Sequence, residues 1–178
     1  MRVIAGEFRS RRLESPPGLE TRPTPDRLRE SLFSILMPVI EGSIFVDAFA
    51  GGGSVGIEAL SRGAAQAIFV ERSRANCEVI RKNLETLRLL ARARVIQGSA
   101  ATYLSGLKAD IYFLDPPYDR PAEYATALTA VAEAAAGKSI AIAQHASRHS
   151  LEESYGRLRR YRTARQGDNS LSFYEIEP

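Results

Sequence analysis

The chain has 178 residues, 44% of them hydrophobic and 25% charged, a size and balance that suit one globular domain and exclude a disordered chain. One cysteine, Cys77, and two histidines, His145 and His149, exclude an intrachain disulfide and a Cys/His zinc cluster, so metal-free chemistry is expected. The net charge of +3 is mildly basic; no apolar run reaches the roughly 18 residues of a membrane span, and the first residues are too charged for a signal peptide, so a cytoplasmic protein is expected.

Arg2 to Leu13 reads as a short hairpin outside the main sheet, carrying Arg2, Arg9, Arg11 and Arg12. A second basic cluster, Arg157, Arg159, Arg160, Arg162 and Arg165, lies near the other end. Either patch suits a phosphate backbone, and arginine on a solvated surface explains each patch equally well. Pro16-Pro17-Gly18 and Pro23 punctuate the next stretch. Thr24-Pro25 then predicts a helix N-cap followed by proline at the first helical position. That helix should run to Leu36, bury Leu28, Leu32, Ile35 and Leu36, and stop at Pro38.

A buried strand is expected over Ile44 to Phe49, leading into Gly51-Gly52-Gly53 and a helix through Ile57, Leu60 and Ser61. A second strand near Ala67 to Glu71 precedes a helix from about Ser73 to Leu90, whose apolar stripe is Cys77, Ile80, Leu84 and Leu87. Further strands are predicted at Ala93 to Gln97, Asp110 to Leu114 and Lys138 to Ala143, with helices near Ala100 to Leu104 and Ala122 to Ala134. Such alternation predicts an α/β, doubly wound parallel sheet covered on both faces. Two last strands, near Arg157 to Thr163 and Ser170 to Ile176, would add an antiparallel hairpin turning at Gly167-Asp168-Asn169.

Gly51 to Gly56 satisfies the GxGxxG pattern, and Glu71 stands 24 residues after Asp47, close to the spacing at which an acid holds a ribose. Both features serve NAD as well as S-adenosylmethionine. Asp47 favours the second, because a carboxylate just before the glycines would repel a pyrophosphate and attract the ammonium group of S-adenosylmethionine.

The strongest signal is Asp115-Pro116-Pro117-Tyr118, which follows the apolar run Ile111 to Leu114 and therefore sits at the carboxyl end of a strand. A carboxylate and a backbone carbonyl there can accept both hydrogens of one NH2 group, and Tyr118 offers a face for stacking a base. An exocyclic base amine is a poor nucleophile because its lone pair is conjugated into the ring. Two acceptors on its hydrogens expose that lone pair, so orientation and electrostatics supply the catalysis. These residues alone leave open guanine N2, adenine N6 and cytosine N4 as targets. A nicotinamide-dependent oxidoreductase and a noncatalytic RNA-binding protein remain as readings from other classes.

Six segments together resemble the bacterial 16S rRNA guanine-N2 methyltransferases, over nearly the whole chain: Arg2 to Gly6, Arg22 to Glu30, Asp47 to Gly51, Gly56 to Ala64, Asp115 to Tyr118, and Leu171 to Tyr174. The resemblance implies a class I methyltransferase (Rossmann-like) fold with a seven-stranded sheet, its last strand antiparallel, preceded by an N-terminal hairpin-helix extension. It implies one methyltransferase domain over residues 1–178, with residues 1–40 as an RNA-contacting extension. It further implies S-adenosylmethionine as methyl donor, no metal, and a monomer acting on 16S rRNA or a small-subunit assembly particle. On the same ground Asp47, Phe49, Gly51, Gly53, Glu71, Ser99, Ala100 and Asp115 would hold the cofactor, Asp115, Pro116, Pro117 and Tyr118 the target amine, and Arg2, Arg9, Arg11, Arg12, Arg22, Thr24 and Arg27 the RNA. Ser99 and Gln144 stand where the family commonly has acids, and Asn169 where it usually has threonine.

Overall fold

Five parallel strands build the centre of the structure, a computed structural model that describes residues 1–16 and 24–177. They are β1 (Ile44–Ala48), β2 (Gln66–Glu71), β3 (Ala93–Gln97), β4 (Ile111–Leu114) and β5 (Ile140–Ala146). The C-terminal strands β6 (Ser154–Tyr155), β7 (Leu158–Gln166) and β8 (Asn169–Ile176) extend the sheet. The spatial order is β3-β2-β1-β4-β5-β8-β7-β6, with β8 antiparallel to both β5 and β7.

Two helical layers cover this sheet because its central strands are apolar on both faces. On one side lie α1 (Asp26–Leu36), α2 (Ser54–Ser61) and α3 (Arg74–Thr86). There Leu28, Leu32 and Leu36 pack with Phe45, Phe113 and Ile142, while Ile80 and Leu84 pack with Phe69. On the other side lie α4 (Ala100–Tyr103) and α5 (Ala122–Ala134), where Leu128 and Val131 meet Val46, Leu114 and Ala143. The order of connection reverses between β1 and β4, which opens a crevice at the carboxyl ends of those strands.

Several expectations are corrected. The sheet has eight strands and not seven, because the two-residue β6 pairs with β7 through Tyr155 and Leu158; a strand that short has no detectable period. Thr24 does not cap α1. Pro25 occupies the N-cap position without a side-chain cap, and Thr24 is buried instead. Arg22 lies outside the described residues. The helix expected to reach Leu90 ends at Thr86, since Arg88 adopts a φ of 58° while its N–H and that of Leu89 bond back to Glu85 and Leu84. That double return is a Schellman closure, here with arginine in the left-handed position that glycine usually takes. It buries Leu87 and Leu89 under α3.

The N-terminal segment forms the expected hairpin outside the sheet, closed by a bridge between Arg2 and Arg12. Its attachment was not legible in the sequence. Glu58 of α2, wholly buried, accepts the backbone N–H groups of Ile4 at 2.8 Å and Ala5 at 3.0 Å, and Arg62 Nε at 2.8 Å. Ser61 adds a bond from its hydroxyl to the Ala5 carbonyl.

Candidate active site

A cleft of about 1490 Å³ opens over the carboxyl ends of β1, β2, β4 and β5. Its volume exceeds the roughly 300–1,000 Å³ of ordinary small-molecule pockets, so there is room for a nucleoside cofactor and a second planar group together.

The first wall comes from the turn after β1. Phe49 is held at a φ of 67°, an uncommon conformation for an aromatic residue, and Gly51 and Gly53 follow at 55° and 79°. Gly53 then becomes the N-cap of α2. Gly56 allows α2 to lie against the sheet: a Cβ there would come within 2.3 Å of the Phe69 ring. Glu71 organises the turn from the neighbouring strand, its two carboxylate oxygens each accepting at 2.7 Å, one from Gly51 N–H and the other from Ser73 N–H.

Asp47 lies beneath this turn, almost wholly buried, and accepts the Gly56 N–H at 2.8 Å. Burial pushes its carboxyl well above the ordinary carboxylate range; the Gly56 bond opposes this, and the charges of Asp115 and Glu71 add to it. Three acids thus converge on one cleft. That is a poor environment for a pyrophosphate and a favourable one for a sulfonium and an ammonium group, so the residues present fit S-adenosylmethionine.

Asp115 stands at the end of β4 and partly reaches the cleft; among the described residues no donor satisfies its carboxylate. Burial raises it to about 7. The Pro117 carbonyl is committed to a turn with Arg120 N–H at 3.0 Å, whereas the Pro116 carbonyl meets no donor among the described residues. Of the loop's acceptors, the Asp115 carboxylate and the Pro116 carbonyl therefore remain available. Tyr118 is half-exposed, and its hydroxyl donates to Asn169 Oδ1 at 2.6 Å, which ties the loop to the β7–β8 turn.

The cleft therefore gathers Asp47, Phe49, Gly51, Glu71, Ala100 and the whole segment from Asp115 to Tyr118, with Thr24 at its border. Gly53 lies just behind, as the cap of α2. Ser99 heads α4 without lining the cleft, where Gly98 and Ala100 present themselves instead. Arg2, Arg9, Arg11, Arg12 and Arg27 are exposed on the hairpin and the first turn of α1. Sequence reasoning missed Arg72, Ser73 and Asn76, which line the cleft after β2; their position just beyond Glu71 was the available signal.

In the second basic cluster, Arg157 donates to the carbonyls of Ala132 and Ala135, Arg160 donates to that of Leu151, and Arg159 pairs with Glu177. Arg157 and Arg160 tie the C-terminal strands to the fold, while Arg159 pairs on the surface. Arg165 does reach the rim of the cleft.

The sheet order and this cleft define the class I methyltransferase fold, in which S-adenosylmethionine is the methyl donor. The family model described as Conserved hypothetical protein 95 matches residues 1–175, and the chain belongs to that family. "Ribosomal RNA small subunit methyltransferase D" of Escherichia coli (strain K12) is 44% identical over 122 residues, 67% of this chain and 61% of that protein. The chain thus matches less than two thirds of that relative's length. "Putative rRNA methyltransferase YlbH" of Bacillus subtilis (strain 168) is 41% identical over 125 residues, 66% of this chain and 67% of that protein. Among solved structures, "Putative methyltransferase yhhF from Escherichia coli" superposes with a TM-score of 0.87 at 34% identity, covering 99% of this chain and 98% of the other. An RNA methyltransferase from Salinibacter ruber in complex with S-adenosyl-L-homocysteine shares the fold at 18% identity and a TM-score of 0.68, covering 87% of this chain and 94% of its own. Family membership, anticipated from the sequence motifs, is thereby established.

Proposed function

We propose that this protein transfers a methyl group from S-adenosylmethionine to the exocyclic N2 amine of a guanine in 16S rRNA, presented as RNA or within a small-subunit assembly particle. The observation that carries the reading is the pair of free acceptors, the Asp115 carboxylate and the Pro116 carbonyl, at the end of β4 in a cleft that also holds Asp47 and Glu71. The small-subunit RNA methyltransferases among the relatives favour that substrate over DNA.

When bound, the cofactor supplies an electrophilic methyl group. Asp47, Phe49, Gly51, Gly53 and Glu71 would hold its methionine and ribose portions, with Gly98 and Ala100 towards the adenine and Ser99 behind them. Asp115 and the Pro116 carbonyl accept the two hydrogens of the target amine and turn its lone pair outward. An Asp115 carboxyl near neutrality also suits uptake of the proton that nitrogen sheds after methylation. Tyr118 stacks the base, which must leave its RNA neighbours to enter the cleft. Residues 1–40 act as the RNA-contacting extension of one methyltransferase domain, Arg2, Arg9, Arg11, Arg12, Arg22, Thr24 and Arg27 bordering the RNA.

The test is transfer of labelled methyl to small-subunit RNA or particles lacking the modification, followed by nucleoside analysis of the product. N2-methylguanosine is expected. A product carrying the methyl on adenine N6 or cytosine N4, or RNA binding without turnover at saturating cofactor, sinks the reading.

A further inference from the structure

Gln144 of β5 lies next to Asp115. The parallel register pairs Leu114 with Ala143, so the residues that follow them, Asp115 and Gln144, stand side by side at the strand ends. The Gln144 backbone is fixed by its pairing with Leu171 of β8 and by the Tyr124 hydroxyl, which donates to its carbonyl at 2.9 Å. Its side chain is 3% exposed and lines the cleft, yet its Oε1 has no hydrogen-bond partner among the described residues. The Tyr118 hydroxyl gives its proton to Asn169, so towards Gln144 it can only accept from the amide nitrogen, and Oε1 is left without a donor.

A buried amide oxygen without a donor is costly, and such groups are rare unless something else satisfies them. The Oε1 has almost no accessible surface as it stands, and a half-turn of the amide, which exchanges oxygen for nitrogen, presents it to the cleft, where a donor enters beside the two acceptors that hold the amine. The three amine-bearing bases differ at that place. Beside its amine-bearing carbon guanine carries a ring N–H, at N1. Adenine and cytosine carry a ring nitrogen lone pair, at N1 and N3, which would repel a carbonyl oxygen.

We propose that Gln144 is a specificity-determining residue whose Oε1 accepts the N1–H of the target guanine while Asp115 and the Pro116 carbonyl hold its 2-amino group. The inference rests on the guanine-N2 reading and adds to it the group that chooses the base.

The experiment compares small-subunit RNA containing guanine at the methylated position with the same RNA containing 2-aminopurine there, a base that keeps the 2-amino group but has no proton on N1. The wild-type protein should favour guanine by about 100-fold in kcat/KM, because an unpaired buried acceptor rejects a substrate lacking the donor. In Gln144→Leu, similar in size but unable to accept, that preference should fall to about threefold or less, while Gln144→Glu, which keeps an acceptor, should retain at least about tenfold. Equal wild-type rates on the two RNAs overturn the inference and leave guanine-N2 methylation standing, as does a Leu variant with the wild-type preference. Loss of the preference in Gln144→Glu likewise overturns it, and this arm and the wild-type comparison decide the matter if the Leu variant does not fold. No methyl transfer by wild-type protein to either RNA overturns the guanine-N2 reading and this inference with it.

Discussion

In the proposed mechanism Asp115 serves catalysis at the expense of the fold. Its carboxyl is raised to about 7 by burial, so in the cofactor-free protein its ionisation opposes folding. The folded value lies above the unfolded one, so the stability is full below the ordinary carboxylate range and is lost as pH rises towards about 7. Asp115→Asn should therefore melt higher than wild type at pH 8, by on the order of 2 kcal/mol allowing for the group's contact with the cleft, with the advantage shrinking at pH 5. The proposed mechanism needs the ionised acceptor, so wild-type kcat/KM should climb through pH 7 while the Asn variant shows little activity at any pH. Thermal unfolding and methyl transfer across that range check both. A variant less stable than wild type at pH 8 would show that the carboxylate is favourably paired in the free protein.

At the scale of elements, α2 connects the two ends of the proposed chemistry. All eight of its residues are buried, its first turn receives the glycine loop, and Glu58 near its far end carries the N-terminal hairpin. Glu58→Ala would strand two backbone N–H groups and the Arg62 guanidinium, a loss expected to cost about 3 kcal/mol. It should also release the hairpin, so trypsin should cut after Arg9, Arg11 and Arg12 faster than in wild type under folded conditions. An unchanged cleavage rate would mean that the apolar contacts of Val3 and Leu13 and the bonds to Ser61 hold the hairpin without Glu58.

For the whole molecule, charge is segregated: the acids Asp47, Glu71 and Asp115 meet in the cleft, while Arg2, Arg9, Arg11, Arg12 and Arg27 are exposed on the hairpin and α1. RNA affinity should therefore fall steeply with salt. Replacing Arg9, Arg11 and Arg12 together by alanine should flatten the plot of log K against log salt by about 2 to 3 units if each meets a phosphate. Arg157→Ala should leave that slope unchanged and lower the melting temperature, since its guanidinium caps two carbonyls of the α5 region. Filter binding across salt concentrations, with thermal unfolding in parallel, separates the two roles.

The amino-acid sequence by itself determined the alternating strands and helices, the apolar stripe of α3, the glycine turn and the Asp115 to Tyr118 segment. Each is a local pattern in which the backbone period or a proline pair announces itself within a few residues. Tertiary structure decided the fate of polar groups whose partners are distant in the chain. Glu58 meets Ile4 across 54 positions, and Tyr118 meets Asn169 across 51. Arg157 and Arg160, part of a cluster that suited a phosphate backbone and a solvated surface equally, donate to carbonyls that only the folded sheet presents. The free acceptor of Gln144 belongs to the same class, because a buried amide is known to lack a donor only when every neighbour is in place.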